Sequence, residues 1–321
     1  MKVTLPSGPT KSAVLFIIFN RPGTTRQVFD QIKKAKPSRL YIAGDGARAN
    51  KPGEKELCIA ARSVVDEIDW VCEVKTNFQD VNIGCKEAVS SAISWFFEHE
   101  EEGIILEDDC LPADSFFDFC DTLLEKYRYD TRIRHIAGCN LQHGRKWGRG
   151  SYYFSNITHV WGWAGWRRVW QDYDKELKQF DEKDILYQVG KIFNNRYIID
   201  SLGHIFKELK AGKIDTWDYQ LGFLNYFNNG LCIIPNVNMI ANLGFGTDST
   251  HTVDANSPYA NLPVENLTEI IHPQYFLPEK QADLHTLTYD FDIKERERKH
   301  NLLRRRLKRW LKAKLSADSV K

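Results

Sequence analysis

Three consecutive acids, Glu107, Asp108 and Asp109, close the apolar run in "GIILEDDCLP" (103–112). Like charges side by side repel, so they either face water as a solvated strand cap or meet something positive. Hard divalent cations, Mn²⁺ or Mg²⁺, are commonly held by one or two carboxylates plus phosphate oxygens of a substrate, and an acidic cluster at the end of a rigid strand suits that chemistry. Asp45, in "AGDGAR", sits between Gly44 and Gly46. It fits an Asp-Gly turn, and it fits a carboxylate accepting the imide N–H of a uracil or an amine of another base, since the glycines allow close backbone approach. "FNRP" sets Asn20 and Arg21 after another apolar run, where Arg21 is either a surface cation or a contact for a diphosphate. In "DTWDYQ", Asp215 and Asp218 lie near a helix start. A carboxylate there either complements the helix dipole or serves as general base toward an acceptor hydroxyl. Finally, "GFGTDSTH" supplies Gly246, Ser249 and His251, a pattern suited to a loop that covers phosphate. His251 is a candidate ligand for metal or phosphate, or an exposed loop residue.

These residues need elements to hold them. "AVLFIIF" (13–19), "RLYIAGD" (39–45), "WVCEVKT" (70–76) and "GIILED" (103–108) are apolar runs of strand length. Between them lie stretches of helical period: Thr24 to Lys34, a helix ending near Glu67, and "CKEAVSSAISWFFEHE" (85–100). Alternating strands and helices imply right-handed crossovers and a mainly parallel sheet flanked by helices. In such sheets ligands bind beyond the carboxyl ends of the strands, and Asn20, Arg21, Asp45 and the acid triplet all fall there. The second half is less regular. It holds "HVWGWAGWRRVW" (159–170), a helix from about Asn194 to Lys210, and a strand-like "LCIIPN" (231–236).

Bulk properties exclude several classes. The 321 residues carry a net charge of +1, so no global field draws in nucleic acid, and none is expected as a partner. Seven scattered cysteines without C-x-x-C spacing argue against a zinc ribbon or a disulfide framework and favour a reducing compartment. "AVLFIIF" is too short to span a bilayer and leads into Asn20-Arg21-Pro22, not into a small-residue cleavage site, so a cytoplasmic protein is expected. No G-x-G-x-x-G follows the first strand and no P-loop motif occurs, which disfavours dinucleotide dehydrogenases and P-loop NTPases.

The order of these pieces resembles the metal-dependent glycosyltransferases of the GT-A fold. The likeness is to N-acetylglucosaminyltransferase I-like enzymes and to bacterial nucleotide-diphospho-sugar transferases. It is carried by "IILEDD", the Phe-rich "PADSFFDFC", "WGWAGW", the Trp217-Asp218 pair and "LGFGTDSTH", over roughly residues 13 to 251. The resemblance implies Asp109 as metal ligand, Glu107 on the donor sugar and Asp108 on the ribose or nucleotide. It further implies Asp45 on the base, Asn20 and Arg21 at the nucleotide or its phosphates, and Asp218 as base of an inverting transfer. Gly246, Ser249 and His251 would belong to the closing loop. Here "WDYQL" lacks the second, adjacent Asp of the relative's motif. The implied donor is a nucleotide-diphosphate sugar, UDP-sugar favoured, with Mn²⁺ or Mg²⁺, and the acceptor a hydroxyl of a glycan or lipid-linked saccharide, as in polysaccharide or lipopolysaccharide assembly. The Trp161, Trp163 and Trp166 cluster either stacks on the acceptor sugar or packs in the core.

Residues 1–290 are expected to form one transferase domain, with a nucleotide-sugar half (about 13–130) and an acceptor half (about 131–290). Residues 291–321 form a basic tail. Its helical spacing puts Leu303, Leu307, Trp310, Leu311 and Leu315 on one face among many Arg and Lys. That composition suits peripheral attachment to the anionic inner face of the cytoplasmic membrane, and also a helix docked on the protein's own body. Two other functions remain open: a sugar-phosphate nucleotidyltransferase, and an inactive carbohydrate-binding or scaffold module.

Overall fold

In the computed structural model, residues 2–5, 8–245, 258–260, 262–302 and 305–311 are described. Gly246, Ser249 and His251 lie outside these residues. A short β1 (Lys2–Thr4) precedes the alternation β2 (Ala13–Ile18), α1 (Pro22–Ala35), β3 (Arg39–Gly44), α2 (Glu54–Arg62), β4 (Glu73–Phe78), α3 (Cys85–His99) and β5 (Glu102–Glu107). Next come β6 (Cys110–Pro112), α4 (Ser115–Tyr127), β7 (Ile133–Ala137), β8 (Tyr152–Ser155), β9 (Trp163–Trp166), α5 (Arg167–Trp170), α6 (Ile185–Ile192), α7 (Arg196–Lys210) and α8 (Asp218–Phe227). The chain continues with β10 (Leu231–Pro235), β11 (Ile240–Asn242), β12 (Glu269–Ile271), α9 (Lys280–Asp290) and α10 (Ile293–Asn301).

Eight strands form the central sheet in the order β4-β3-β2-β5-β9-β7-β10-β8. β4, β3, β2 and β5 are parallel, as are β7 and β10, while β9 and β8 run antiparallel to their neighbours. This is a mixed, mainly parallel α/β arrangement, as the alternation of strands and helices predicts. β2 is buried along its whole length because helices cover both faces of the sheet. On one face the core gathers Val28, Phe29 and Ile32 of α1 with Phe116, Phe119 and Leu123 of α4. On the other it gathers Val89, Ile93 and Phe96 of α3 with Leu221 and Leu224 of α8. A third cluster, around Phe206 and Phe223, packs α6, α7 and α8 together.

Trp163 and Trp166 belong to the core, 3% and 2% exposed, whereas Trp161 is half-buried. β4 starts three residues later than its apolar pattern suggests, because Trp70 turns back to donate its indole N–H to the Pro37 carbonyl at 2.8 Å.

The tail differs from one continuous amphipathic helix. α10 docks on the body, with Ile293 buried in the third cluster and the Arg296 guanidinium donating to Ser201 Oγ at 2.5 Å. It stops at Leu302, whose backbone is extended at φ −53 and ψ 131, before helical structure resumes at 305–311. Leu307 and Leu311 there are exposed. Among the described residues, no helix is long and apolar enough to cross a membrane.

Candidate functional site

Strands β2, β3 and β5 end at one level, with Ile18 opposite Gly44 and Ile17 opposite Glu107. Beyond these ends lies a cleft of about 430 Å³ whose lining includes Arg21, Asp45, Glu107, Asp108, Asp109 and Asp218. Six of the sequence-derived candidates therefore converge. Asn20 does not join them.

Arg21 answers the acid triplet. It is the residue before Pro22, which starts α1 with its fixed φ. Its guanidinium donates through Nη2 to Asp108 Oδ1 at 2.5 Å and through Nη1 to Asp109 Oδ2 at 3.0 Å. Burial works against this charge, but Asp108, Asp109 and Glu107 more than offset it, and its pKa is raised. Asp108 is 2% exposed, and its other oxygen accepts the Phe19 N–H at 3.0 Å. It thereby ties the end of β5 to the end of β2, and burial pushes its pKa up to about 6 against the pull of Arg21. Asp108 thus clamps two strand ends, and the ribose or nucleotide contact expected of it would use lone pairs left beside these bonds.

Glu107 is half-buried, and burial together with Asp109, Asp108 and Asp218 pushes its carboxyl up to about 8. The cleft thus gathers several carboxylates around one guanidinium, and burial and these neighbours oppose the ionisation of Glu107. Asp109 remains the cleft-facing acid of the three. Its Oδ1 meets only the weak Cys110 thiol donor at 3.4 Å. Antiparallel pairing of β6 with β11 brings Asn242 opposite Cys110, and the Leu243 N–H donates to the Asp109 carbonyl at 2.7 Å. Gly244 then lies over the carboxylate, where a Cβ would come within 2.3 Å of Asp109 Oδ2.

Asn20 turns away and donates to Glu54 Oε1 at 2.9 Å. Glu54 is buried and bonded by the Arg48 side chain and by the Arg48 N–H at 2.7 Å. Those bonds hold its carboxyl down to about 2. Asn20 therefore fixes the start of α2 and is not among the residues that line the cleft. Asp45 is also committed: Oδ1 accepts from Gly46 N–H at 2.8 Å and Ile83 N–H at 3.0 Å, and Oδ2 from Asn82 Nδ2 at 2.7 Å. Burial raises its pKa and these donors lower it, the first prevailing. The turn that the Asp-Gly pair suggests is present, packed so tightly that a Cβ on Gly46 would lie 2.3 Å from the Val81 backbone. Asp45 retains only spare lone pairs for a base, and the neighbouring cleft amides Asn77, Gln79 and Asn82 add donors and acceptors.

The two acids of "DTWDYQ" separate in role. Asp215 accepts from the Cys85 N–H at 3.2 Å and the Lys86 N–H at 3.0 Å. It caps α3, a helix that Gly84 enters at φ +87 with no cap of its own. Asp218 is the first residue of α8, lines the cleft and is bonded through Oδ1 by the Thr216 hydroxyl. Trp161, the one of the three tryptophans that is only half-buried, lines the cleft, as do Arg48 and Gly244, which do not stand out as site residues in the sequence. Arg48 was in view within "GDGAR". Cys85 is there too, but burial and the surrounding acids raise its thiol to about 12, so it stays neutral.

Among the described residues no group of three or more His, Cys, Asp or Glu is arranged to hold a metal ion. What fits a hard cation is Asp109 Oδ1, opposed only by the weak Cys110 thiol donor, a single carboxylate oxygen of the kind that needs substrate phosphate oxygens to complete a shell.

No family model matches the chain, and no curated protein matches it in sequence. Among solved structures, it is similar to the mannosyltransferase PcManGT from Pyrobaculum calidifontis, determined with GDP-Man and Mn²⁺. That match has 12% identity, a TM-score of 0.36 and 71% of each chain covered. HddC from Yersinia pseudotuberculosis matches at 10% identity and TM-score 0.32, over 50% of this chain and 80% of that one. A UDP-glucose pyrophosphorylase complexed with UDP-glucose matches at 9% identity and TM-score 0.32, over 51% and 81%.

Proposed function

We propose that the protein is a nucleotide-sugar-dependent glycosyltransferase, UDP-sugar favoured as donor, that inverts the anomeric centre. The observation that supports this most is the convergence of Arg21, Asp45, Glu107, Asp109 and Asp218 on one cleft at the carboxyl ends of parallel strands. The base lies toward Asp45 and the amides, the diphosphate between Arg21 and Asp109, and the sugar near Glu107. Asp218 takes the proton from the acceptor hydroxyl as that oxygen attacks the anomeric carbon. Thr216 holds Asp218 in place. Asp109, with the donor's phosphate oxygens, would hold Mn²⁺ or Mg²⁺, which when bound supplies charge neutralisation for the departing diphosphate. Gly246, Ser249 and His251 are proposed to cover the phosphates.

A nucleotidyltransferase is less favoured by the local chain path. Only residues 19–21 separate β2 from α1, which leaves no room for a long Gly-rich phosphate loop. Acceptor and location are proposed as a lipid-linked or glycan saccharide at an anionic membrane surface, reached through the part of the tail beyond Leu302. Asp218→Asn tests the mechanism: nucleotide-sugar binding stays within about threefold, while transfer falls by about 10²–10⁴-fold, the range for removing a general base. Full transfer by that variant removes Asp218 from the chemistry.

A further inference from the structure

The acid cluster is already partly neutralised by the protein itself, and that has a consequence for how ligands enter. Arg21 spans Asp108 and Asp109 with one guanidinium nitrogen on each. It is half-buried, and its planar fork suits two carboxylate oxygens in a way that an ammonium does not. A divalent cation arriving alone at Asp109 would find one carboxylate whose Oδ2 is taken and a fixed positive charge beside it. Gly244 closes over that same oxygen, so the carboxylate has little space in which to swing away. A nucleoside diphosphate arriving alone would meet Asp108 and Asp109 against one Arg21. The other cleft arginine, Arg48, is held by Glu54 and offers no spare charge.

We propose that Arg21 is a positioning residue that makes metal and nucleoside diphosphate bind as a unit. In the free protein its guanidinium occupies the metal-ligand carboxylate. A diphosphate supplies the second anion that lets Arg21 turn from Asp109 Oδ2 to a phosphate oxygen, and the freed carboxylate takes the cation. Each ligand then removes the repulsion that excludes the other, so their affinities are coupled, and by linkage each raises the other by the same factor. Arg21 also keeps Asp108 neutralised while it pivots, because only the Nη1 bond must be exchanged. This inference rests on the donor reading above, but its first measurement uses metal alone.

The test is calorimetric titration of Mn²⁺ into the full chain, with and without saturating UDP or GDP, for the wild type, Arg21→Gln and Arg21→Lys. The wild type is expected to bind Mn²⁺ at least tenfold more tightly with one of the nucleotides than without. Arg21→Gln should bind Mn²⁺ alone at least tenfold more tightly than the wild type and lose most of the coupling. Arg21→Lys, which keeps charge but loses the fork, should fall between them. Equal Mn²⁺ affinity for wild type and Arg21→Gln in the absence of nucleotide overturns the proposal. Should Arg21→Gln not fold, a nucleotide that binds the wild type yet leaves its Mn²⁺ affinity unchanged overturns it as well. Failure of the donor reading looks different: no nucleotide then binds any of the three proteins, while the metal-alone comparison still reports on Arg21.

Discussion

At the scale of single residues, the acids of the cleft are not interchangeable. Asp108 clamps two strand ends, Glu107 is held against ionisation by burial and like charges, and Asp109 has one oxygen on Arg21 and the other against the weak Cys110 thiol donor. Composition announces three adjacent carboxylates but not their partners, since Arg21 lies 87 and 88 positions away from the two it binds. Gly244 shows the same limit. It is one glycine among twenty, and only the β6–β11 pairing reveals that a methyl group there would strike Asp109 Oδ2. A Gly244→Ala variant is therefore expected to fold, at an overpacking cost of about 1–3 kcal/mol. It should lose about tenfold or more in Mn²⁺-dependent nucleotide affinity, measured by titration. Unchanged affinity would mean that Asp109 moves freely and is not held as described.

At the scale of elements, the parallel strands were legible because period and length agree: β2, β3 and β5 fall within one or two residues of their apolar runs. The capping of α3 was not legible. Its cap, Asp215, comes from 130 residues further along, and local sequence offers only Gly84. Asp215→Ala should cost about 1 kcal/mol, in the usual range for losing a cap, seen as a lower unfolding midpoint in urea. It should also loosen the joint between α3 and the start of α8, reducing transfer more than nucleotide binding. If stability is unchanged, Asp215 does not support the helix. The break at Leu302 was equally hidden, because the spacing of Leu303, Leu307, Trp310 and Leu311 runs smoothly on as a helical stripe. Periodicity records which residues share a face, not where a docked helix stops.

At the scale of the whole molecule, the two ends of the chain's chemistry are separated. The cleft sits at one edge of the sheet, whereas α10 fastens to α7 through Ile293 and Arg296 and leaves Leu307 and Leu311 exposed beyond it. Ending the chain after Leu302 keeps those anchoring residues, so the melting temperature should move by no more than a few degrees. Binding to vesicles containing phosphatidylserine should fall strongly, and less so at high salt where the electrostatic part is already screened. Vesicle binding that survives the truncation places the membrane contact elsewhere or nowhere.

The central claim is that the cleft is a nucleotide-sugar site, and the most direct measurement is the melting temperature of the wild-type chain against UDP, GDP, ADP, CDP and their sugar conjugates, with and without Mn²⁺. A ligand present at a hundred times its dissociation constant stabilises the folded state by about 2.7 kcal/mol, which is several degrees. Such a rise is expected for one nucleoside diphosphate and its sugar conjugates, dependent on Mn²⁺ and absent in Asp109→Ala. No rise with any nucleotide, or an equal rise in Asp109→Ala, would contradict the central claim.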